Sequence, residues 1–261
     1  MNLFDLAFPA PEENLACDEA LLDWCDAGDG PEALRFWEPQ QPFVVVGYAN
    51  QVEREVNVPA CRESGIAILR RCSGGGAVVQ GPGCLNYALV VRIDSDPSLQ
   101  SVTGTNQFVM DRNRAALEPL LTCSGRRQEA IIPKSGIRNP SREISVRGHT
   151  DLAIGDRKFS GNAQRRRRHA ILFHGTFLLN LDLALVSRLL LMPSKQPDYR
   201  HCRSHGEFLM NLDVTAAEVK TALTKSWGAT VARDSLPSAR IGELARERYS
   251  CAAWNLKLAT A

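Results

Sequence analysis

The sequence predicts an α+β fold in which mixed β-sheets are flanked by helices. Short apolar runs rich in β-branched residues recur through the first 180 or so positions, separated by Gly and Pro. Amphipathic helical spacing appears near the start, in the middle and near the end of the chain. The order of these elements, without an internal repeat or a low-complexity linker, suits one large domain rather than an array.

Along the chain, residues 14–26 (NLACDEALLDWCD) place Leu15, Leu21, Leu22, Trp24 and Cys25 near one face, after Asn14 as a candidate cap. Residues 33–37 and 43–47 read as strands joined by a Pro/Gln turn, and 58–64 as a short helix. Strands are expected at 66–70, 78–80 and 85–93, the last two around a Gly-Pro-Gly turn at 81–83. A helix follows at 105–121. Residues 123–148 are polar and rich in Pro, Gly and Arg, which predicts loops with short strands. Short strands at 151–154, 158–159 and 170–173 are interrupted by glycines, and a helix at 183–191 stops before Pro193. Residues 192–206 suit a mobile surface loop. Helices are expected near 216–227 and 239–248.

Composition narrows the function. The 261 residues are 44% apolar and 23% charged, with a net charge of +2, so neither nucleic acid nor membrane is demanded as a partner. The N-terminal stretch carries acids and prolines rather than a basic segment before an apolar run, and no apolar run approaches membrane-spanning length. The eight cysteines form no CxxC pair and read as free buried thiols of a reducing compartment. A cytoplasmic location is the expectation.

The most unusual segment is Arg70-Arg71-Cys72-Ser73-Gly74-Gly75-Gly76-Ala77. Three consecutive glycines cost chain entropy and suit a backbone that something approaches closely. Exposed amides there make an anion nest, and the neighbouring arginines offer forked donors for phosphate or carboxylate. The alternative is a glycine-rich hairpin with two solvated arginines. No Gly-Lys-Ser/Thr follows and no GxGxxG is present, which excludes the two common nucleotide fingerprints.

The stretch RRCSGGGAVVQGPGCLNYALVV resembles the lipoate-binding segment of the lipoate–protein ligase A family, within the biotin/lipoate ligase superfamily. The family pattern is two basic residues, a variable position, Ser, three Gly and Ala, with an Asn downstream, here Asn86. Asn14-Leu15-Ala16 with Asp18-Glu19-Ala20-Leu21, and residues 44–47, extend the resemblance. It covers most of residues 10–215 and implies a biotin/lipoate ligase-like catalytic domain over 1–213. Residues 214–261 are then a short helical extension of that domain, without a separate accessory domain.

A second block, Asp151-Leu152-Ala153-Ile154-Gly155-Asp156-Arg157-Lys158-Phe159-Ser160-Gly161-Asn162-Ala163-Gln164, resembles the family's lysine motif. Activating a carboxylate with ATP needs a cation where negative charge accumulates. The resemblance gives Lys158 that catalytic role, with small neighbours leaving room for a ligand. A third block, Phe173-His174-Gly175-Thr176, resembles the family's His-Gly-Thr strand; the other reading of His174 is a buried structural histidine. Together the blocks imply a lipoate and adenylate site of Arg70, Ser73, Gly74, Gly75, Gly76, Ala77, Asn86, Asp151, Ser160, Gly161, Ala163, His174, Gly175 and Thr176 around Lys158. No resident metal is expected. ATP, Mg2+ accompanying the nucleotide, and lipoate are the implied cofactor and substrates.

The related octanoyltransferases use a cysteine nucleophile. At the two positions where the resemblance places it, this chain has Leu191-Met192-Pro193-Ser194 and Ile137-Arg138-Asn139 before Pro140-Ser141-Arg142-Glu143, so adenylate chemistry is favoured. Cys72 and Cys84 stay open as unconventional nucleophiles. Gln80 stands where many ligases have His, and His149-Thr150 replace a commoner basic-polar pair. The arginines at 165–168 read as a solvated rim or as a docking surface for an acidic lipoyl domain, and less readily as an RNA site. His201, Cys202 and His205 match no standard metal spacing and fall on a segment that resembles the family's adenylate-closing loop. The expected acceptor is a lipoyl domain of a dehydrogenase E2 subunit or a glycine-cleavage H protein. The resemblance also implies either a second subunit for adenylation or transfer of a preformed lipoyl-adenylate. An octanoyl or lipoyl transferase, and a non-catalytic lipoyl-domain-binding protein, are the competing functions.

Overall fold

The computed structural model describes residues 1–128, 143–231 and 235–257. Its strands are β1 (Asn2–Asp5), β2 (Ala33–Trp37), β3 (Phe43–Val46), β4 (Ile68–Arg70), β5 (Val78–Gln80), β6 (Cys84–Arg92), β7 (Ile144–Arg147), β8 (Asp151–Ile154), β9 (Arg157–Arg166), β10 (Ala170–Leu178) and β11 (Thr230–Val231). Its α-helices are α1 (Pro11–Asp26), α2 (Val52–Glu55), α3 (Val58–Glu63), α4 (Val102–Gln128), α5 (Leu183–Leu189), α6 (His205–Phe208), α7 (Ala216–Trp227), α8 (Ser238–Leu244) and α9 (Ala252–Asn255). An eight-stranded sheet runs β11-β1-β2-β6-β10-β9-β8-β7, and a three-stranded sheet runs β4-β3-β5. Parallel pairs (β11/β1, β1/β2, β3/β4) coexist with antiparallel ones, so both sheets are mixed, as expected.

The centre of the large sheet is buried on both faces, which explains why its central strands read as unbroken apolar runs. Ala88, Val90, Ala170 and Leu172 face α1, where Ala16, Cys17 and Ala20 let the helix approach closely. Their alternates Leu89, Val91, Ile171 and Phe173 pack with Val109, Met110 and Leu117 of α4 and Val219, Leu223 and Trp227 of α7. A third cluster joins β3 and β5 to α3 and α5 through Val44, Val46, Cys61, Val79, Val186 and Leu189. Beyond position 213, α7 packs on α4 and α8 on α1.

Four sequence expectations change. Helix α1 starts at Pro11, a favoured first helical residue, so Asn14 is inside the helix and buried rather than its cap. The middle helix extends over Val102–Gln128, past the expected end at 121; residues 129–142 lie outside the described part. Glycines do not interrupt β9 and β10, which run ten and nine residues through Gly161 and Gly175. The last long helix breaks into a π-helical turn at Ala245–Tyr249. Among the described residues no helix is long and apolar enough to cross a membrane.

Candidate active site

Strand register assembles the site. Trp37, Asn86, Thr176, Gly161 and Asp151 form one row across β2, β6, β10, β9 and β8. Two residues along, Arg35, Ala88, His174 and Ala163 form a second row on the same face. Residues of α1, β3, β5, the glycine loop and the chain after α5 close over this face and leave a cavity of about 1120 Å³.

Lys158 reaches this cavity through an irregularity. Asp151 pairs with Gly161 and Leu152 with Ser160, but Ala153 pairs with Lys158, so Phe159 is an extra residue in β9. Such a β-bulge sends Phe159 into the core beside α4 and turns Lys158 onto the face of Asp151 and Gly161. Lys158 Nζ then lies 2.7 Å from Asp151 Oδ1. The Tyr199 hydroxyl donates to Asp151 Oδ2 at 2.9 Å. Burial and the adjacent carboxylate hold that phenol well above its usual pKa, so it stays a donor. Gly161 leaves room for the ammonium, because a Cβ there would sit 2.6 Å from Lys158 Nζ and push it aside.

The glycine loop folds around Arg71. Its guanidinium donates to Gly74 O at 2.6 Å, Gly76 O at 2.8 Å and Ser73 Oγ at 3.1 Å. Burial pulls its pKa down to about 10, so it remains a cation at neutral pH. Gly75 adopts φ +89°, a left-handed conformation that favours glycine. With these carbonyls turned to Arg71, the Gly74, Gly75 and Gly76 amides donate to no acceptor among the described residues. That leaves them available to an anion.

A polar relay supports the loop from beneath. Ser73 Oγ lies 2.6 Å from His174 Nε2, and His174 Nδ1 lies 3.4 Å from Asp18 Oδ2. Asp18 Oδ1 in turn pairs with the fully buried Arg35 at 2.5 Å. Elsewhere in the cavity, Gln80, Asn86 and Thr176 satisfy one another in a ring of hydrogen bonds of 2.6–2.9 Å. Val79, Leu178, Leu181, Val186 and Leu190 give the cavity an apolar wall. Such a chamber suits a medium-length acyl chain, with charged groups at Lys158 and free amides at the glycine loop.

The family model for the lipoyl protein ligase A/B catalytic domain matches residues 10–228. The chain belongs to the lipoyl protein ligase A/B family. Octanoyltransferase LipM of Geobacillus kaustophilus is 29% identical, with 98% of each chain covered. The fold is that of the bi-partite lipoate protein ligase from Thermoplasma acidophilum, solved in a study of that ligase and its E2 lipoyl domain, with TM-score 0.73, 26% identity and coverage of 98% and 95%. A lipoate-protein ligase A bound with ATP superposes with TM-score 0.70, 28% identity and 98% coverage of both chains. The protein is therefore an enzyme of lipoyl modification, either a ligase or a lipoyl/octanoyl transferase.

For this family member, the structure gathers Gly74, Gly75, Gly76, Ala77, Asn86, Asp151, Lys158, Gly161, Ala163, His174, Gly175 and Thr176 on the cavity wall. Arg70 is not among them, which corrects its expected role. It is fully buried and donates to the carbonyls of Gly47, Tyr48, Asn50, Trp254, Asn255 and Lys257, so it ties the C-terminal segment to the loop after β3. Ser73 and Ser160 are buried behind the wall, where Ser73 supports His174 and Ser160 accepts from Asn162. Arg35 and Glu55 contribute to the site or its support but carry no distinct local signal in sequence, whereas Arg71 was marked by its adjacency to the glycines and Asp18 by its place in the block Asp18-Glu19-Ala20-Leu21.

The thiol readings also change. Cys72 and Cys84 are buried in separate core clusters, off the cavity, and burial pushes both up to about 12, so neither is a thiolate at neutral pH. Cys202 is exposed rather than buried. The arginine run is not a uniform solvated rim: Arg166 donates to Leu99 O and Thr105 Oγ1, and Arg167 pairs with Glu19 and Asp23. Residues 192–206 are anchored by Arg200, which is buried, bonds Arg203 O and stacks on Phe208. Ser204 caps α6, and Asn211 bonds Leu181. The candidate nucleophile position at Ile137-Arg138-Asn139 lies outside the described residues.

Proposed function

We propose that the protein is a lipoate–protein ligase that joins lipoate to AMP and passes the lipoyl group to a lysine of a lipoyl domain. The observation that carries this reading is Lys158 held by Asp151 in one cavity with the unpartnered amides of the glycine loop. A lipoate carboxylate oxygen would attack the α-phosphorus of ATP, and pyrophosphate would leave with the electron pair. Lys158 and the loop amides supply positive potential where phosphate and carboxylate charge meets. In the second step the acceptor amine attacks the acyl carbon and AMP leaves, with Lys158 polarising the carbonyl. Mg2+ enters this reading on the nucleotide's phosphates.

The similarity to an octanoyltransferase favours a second reading, acyl transfer from a preformed thioester. It needs a nucleophilic thiol, and among the described residues no cysteine lines the cavity. The acceptor in either case is a lipoyl domain of a dehydrogenase E2 subunit or a glycine-cleavage H protein. The test supplies an apo-lipoyl domain with ATP, magnesium and lipoate in one arm, synthetic lipoyl-adenylate in a second, and octanoyl-carrier protein in a third. Acceptor mass gain in the first arm supports the ligase acting unaided. Gain in the second arm but not the first assigns adenylation to a second subunit. Gain only in the third overturns the ligase in favour of the transferase.

A further inference from the structure

Among the described residues, one buried carboxylate of the cavity wall has no counter-charge within ion-pair distance. Asp18 is held by Arg35 and Asp151 by Lys158, while Asp198 is exposed at the rim. Glu55, the last residue of α2, lines the cavity and is only 3% exposed. Among the described residues no cation lies within ion-pair distance of it, and its Oε1 accepts a short hydrogen bond from the Ser194 hydroxyl. Its Oε2 accepts from no described residue. A carboxylate buried with only a neutral hydroxyl is costly to keep, which argues for a cation arriving from outside.

The position fits that visitor. Ser194 and Lys195 line the cavity and are exposed, so Glu55 sits where the chamber opens. The same wall continues to the catalytic lysine. Leu191 N donates to Glu55 O at 3.0 Å, His205 Nε2 lies 3.1 Å from Leu191 O, and beyond α6 Met210 N donates to Lys158 O at 2.9 Å.

We propose that Glu55 receives the acceptor lysine, a role that rests on the acyl–lysine reading above. Its carboxylate draws the incoming ammonium to the cavity mouth. The ammonium releases one proton to solvent, and the resulting amine attacks the acyl carbon. As the tetrahedral intermediate collapses, Glu55 takes the second N–H proton and the leaving group departs with the electron pair. The proton then passes to water.

The test uses the full chain with synthetic lipoyl-adenylate and no ATP, and compares two nucleophiles. One is the lysine of an apo-lipoyl domain. The other is hydroxylamine, which is uncharged at neutral pH and needs no counter-charge. Glu55→Gln keeps an oxygen for Ser194 but removes the charge, and the lysine-to-hydroxylamine rate ratio should fall by about 100-fold. Glu55→Asp should recover part of it. Ser194→Ala, which leaves the charge in place, should keep the ratio near that of the parent protein. A ratio unmoved by Glu55→Gln, or one that falls equally in Ser194→Ala, overturns the proposal. If the parent protein accelerates neither amide nor hydroxamate formation above the protein-free rate, the functional reading falls and this role with it.

Discussion

Lys158 and Asp151 meet at 2.7 Å because an extra residue in β9 turns the lysine toward the face that Asp151 already occupies. The space for the ammonium comes from Gly161, the direct cross-strand partner of Asp151.

Gly161→Ala places a methyl group against Lys158 Nζ and should displace the ammonium from Asp151. Acyl transfer is expected to fall by roughly 100-fold, as for other small misplacements of a reacting group. Lys158→Ala should abolish transfer. Gly161→Ala should unfold in urea near the parent midpoint and Lys158→Ala below it, because Asp151 loses its counter-charge. Transfer rates measured on the folded variants, together with denaturation curves, check the prediction.

Arg70→Lys should cost stability rather than ligand affinity. A lysine has three donors on one atom and cannot reach the six carbonyls that the forked guanidinium serves. A loss of about 3 kcal/mol or more is expected from buried carbonyls left unpaired. Urea unfolding reads the loss directly. A larger change in lipoate affinity of the folded protein than in its stability would return Arg70 to the ligand site.

Asp18→Asn should destabilise the fold by about 3–5 kcal/mol, because it leaves the buried Arg35 without its counter-charge. It also removes the carboxylate facing His174, so the Ser73–His174 contact should loosen. Chemical denaturation measures the first effect, and the His174 ring resonances in NMR report the second.

His205 gives a pH dependence with a defined sign. Burial, with a further contribution from Arg200, lowers its pKa in the folded protein, against the favourable bond to Leu191 O. As pH falls through the ordinary histidine pKa of about 6.5, the unfolded chain takes up a proton that the folded chain resists. Stability from this group is therefore full above that pH, and is lost as pH falls toward the depressed folded value. Urea titrations at neutral and mildly acidic pH should show this slope, and His205→Gln should remove part of it.

Much of the fold was legible because its signals are local. Strands 33–37 and 78–80 and helix 216–227 appear where apolar period and turn residues place them. The start of α1 shows the limit. Pro11 starts the helix, and Asn14, which resembles a cap in sequence, is consumed inside by Phe8, Ala10 and Arg35. Glycine had two meanings that local pattern does not separate. At Gly75 it supplies a positive φ, while in β9 Gly161 continues the strand and makes room for a side chain.

The sequence by itself determined the mixed α+β class, since residue type and spacing carry that information, and the resemblance of three blocks to the lipoate–protein ligase family marked Lys158 as the group to examine. Tertiary structure decided which way the side chains point. Two-residue alternation would put Lys158 with Ser160 and Asn162 on the far face, and only the bulge at Phe159 reverses it. Likewise Arg70 and Arg71 are equivalent as letters. One is surrounded by carbonyls from the C-terminal segment and the other by those of the glycine loop, and contacts so distant in sequence exist only once the chain has folded.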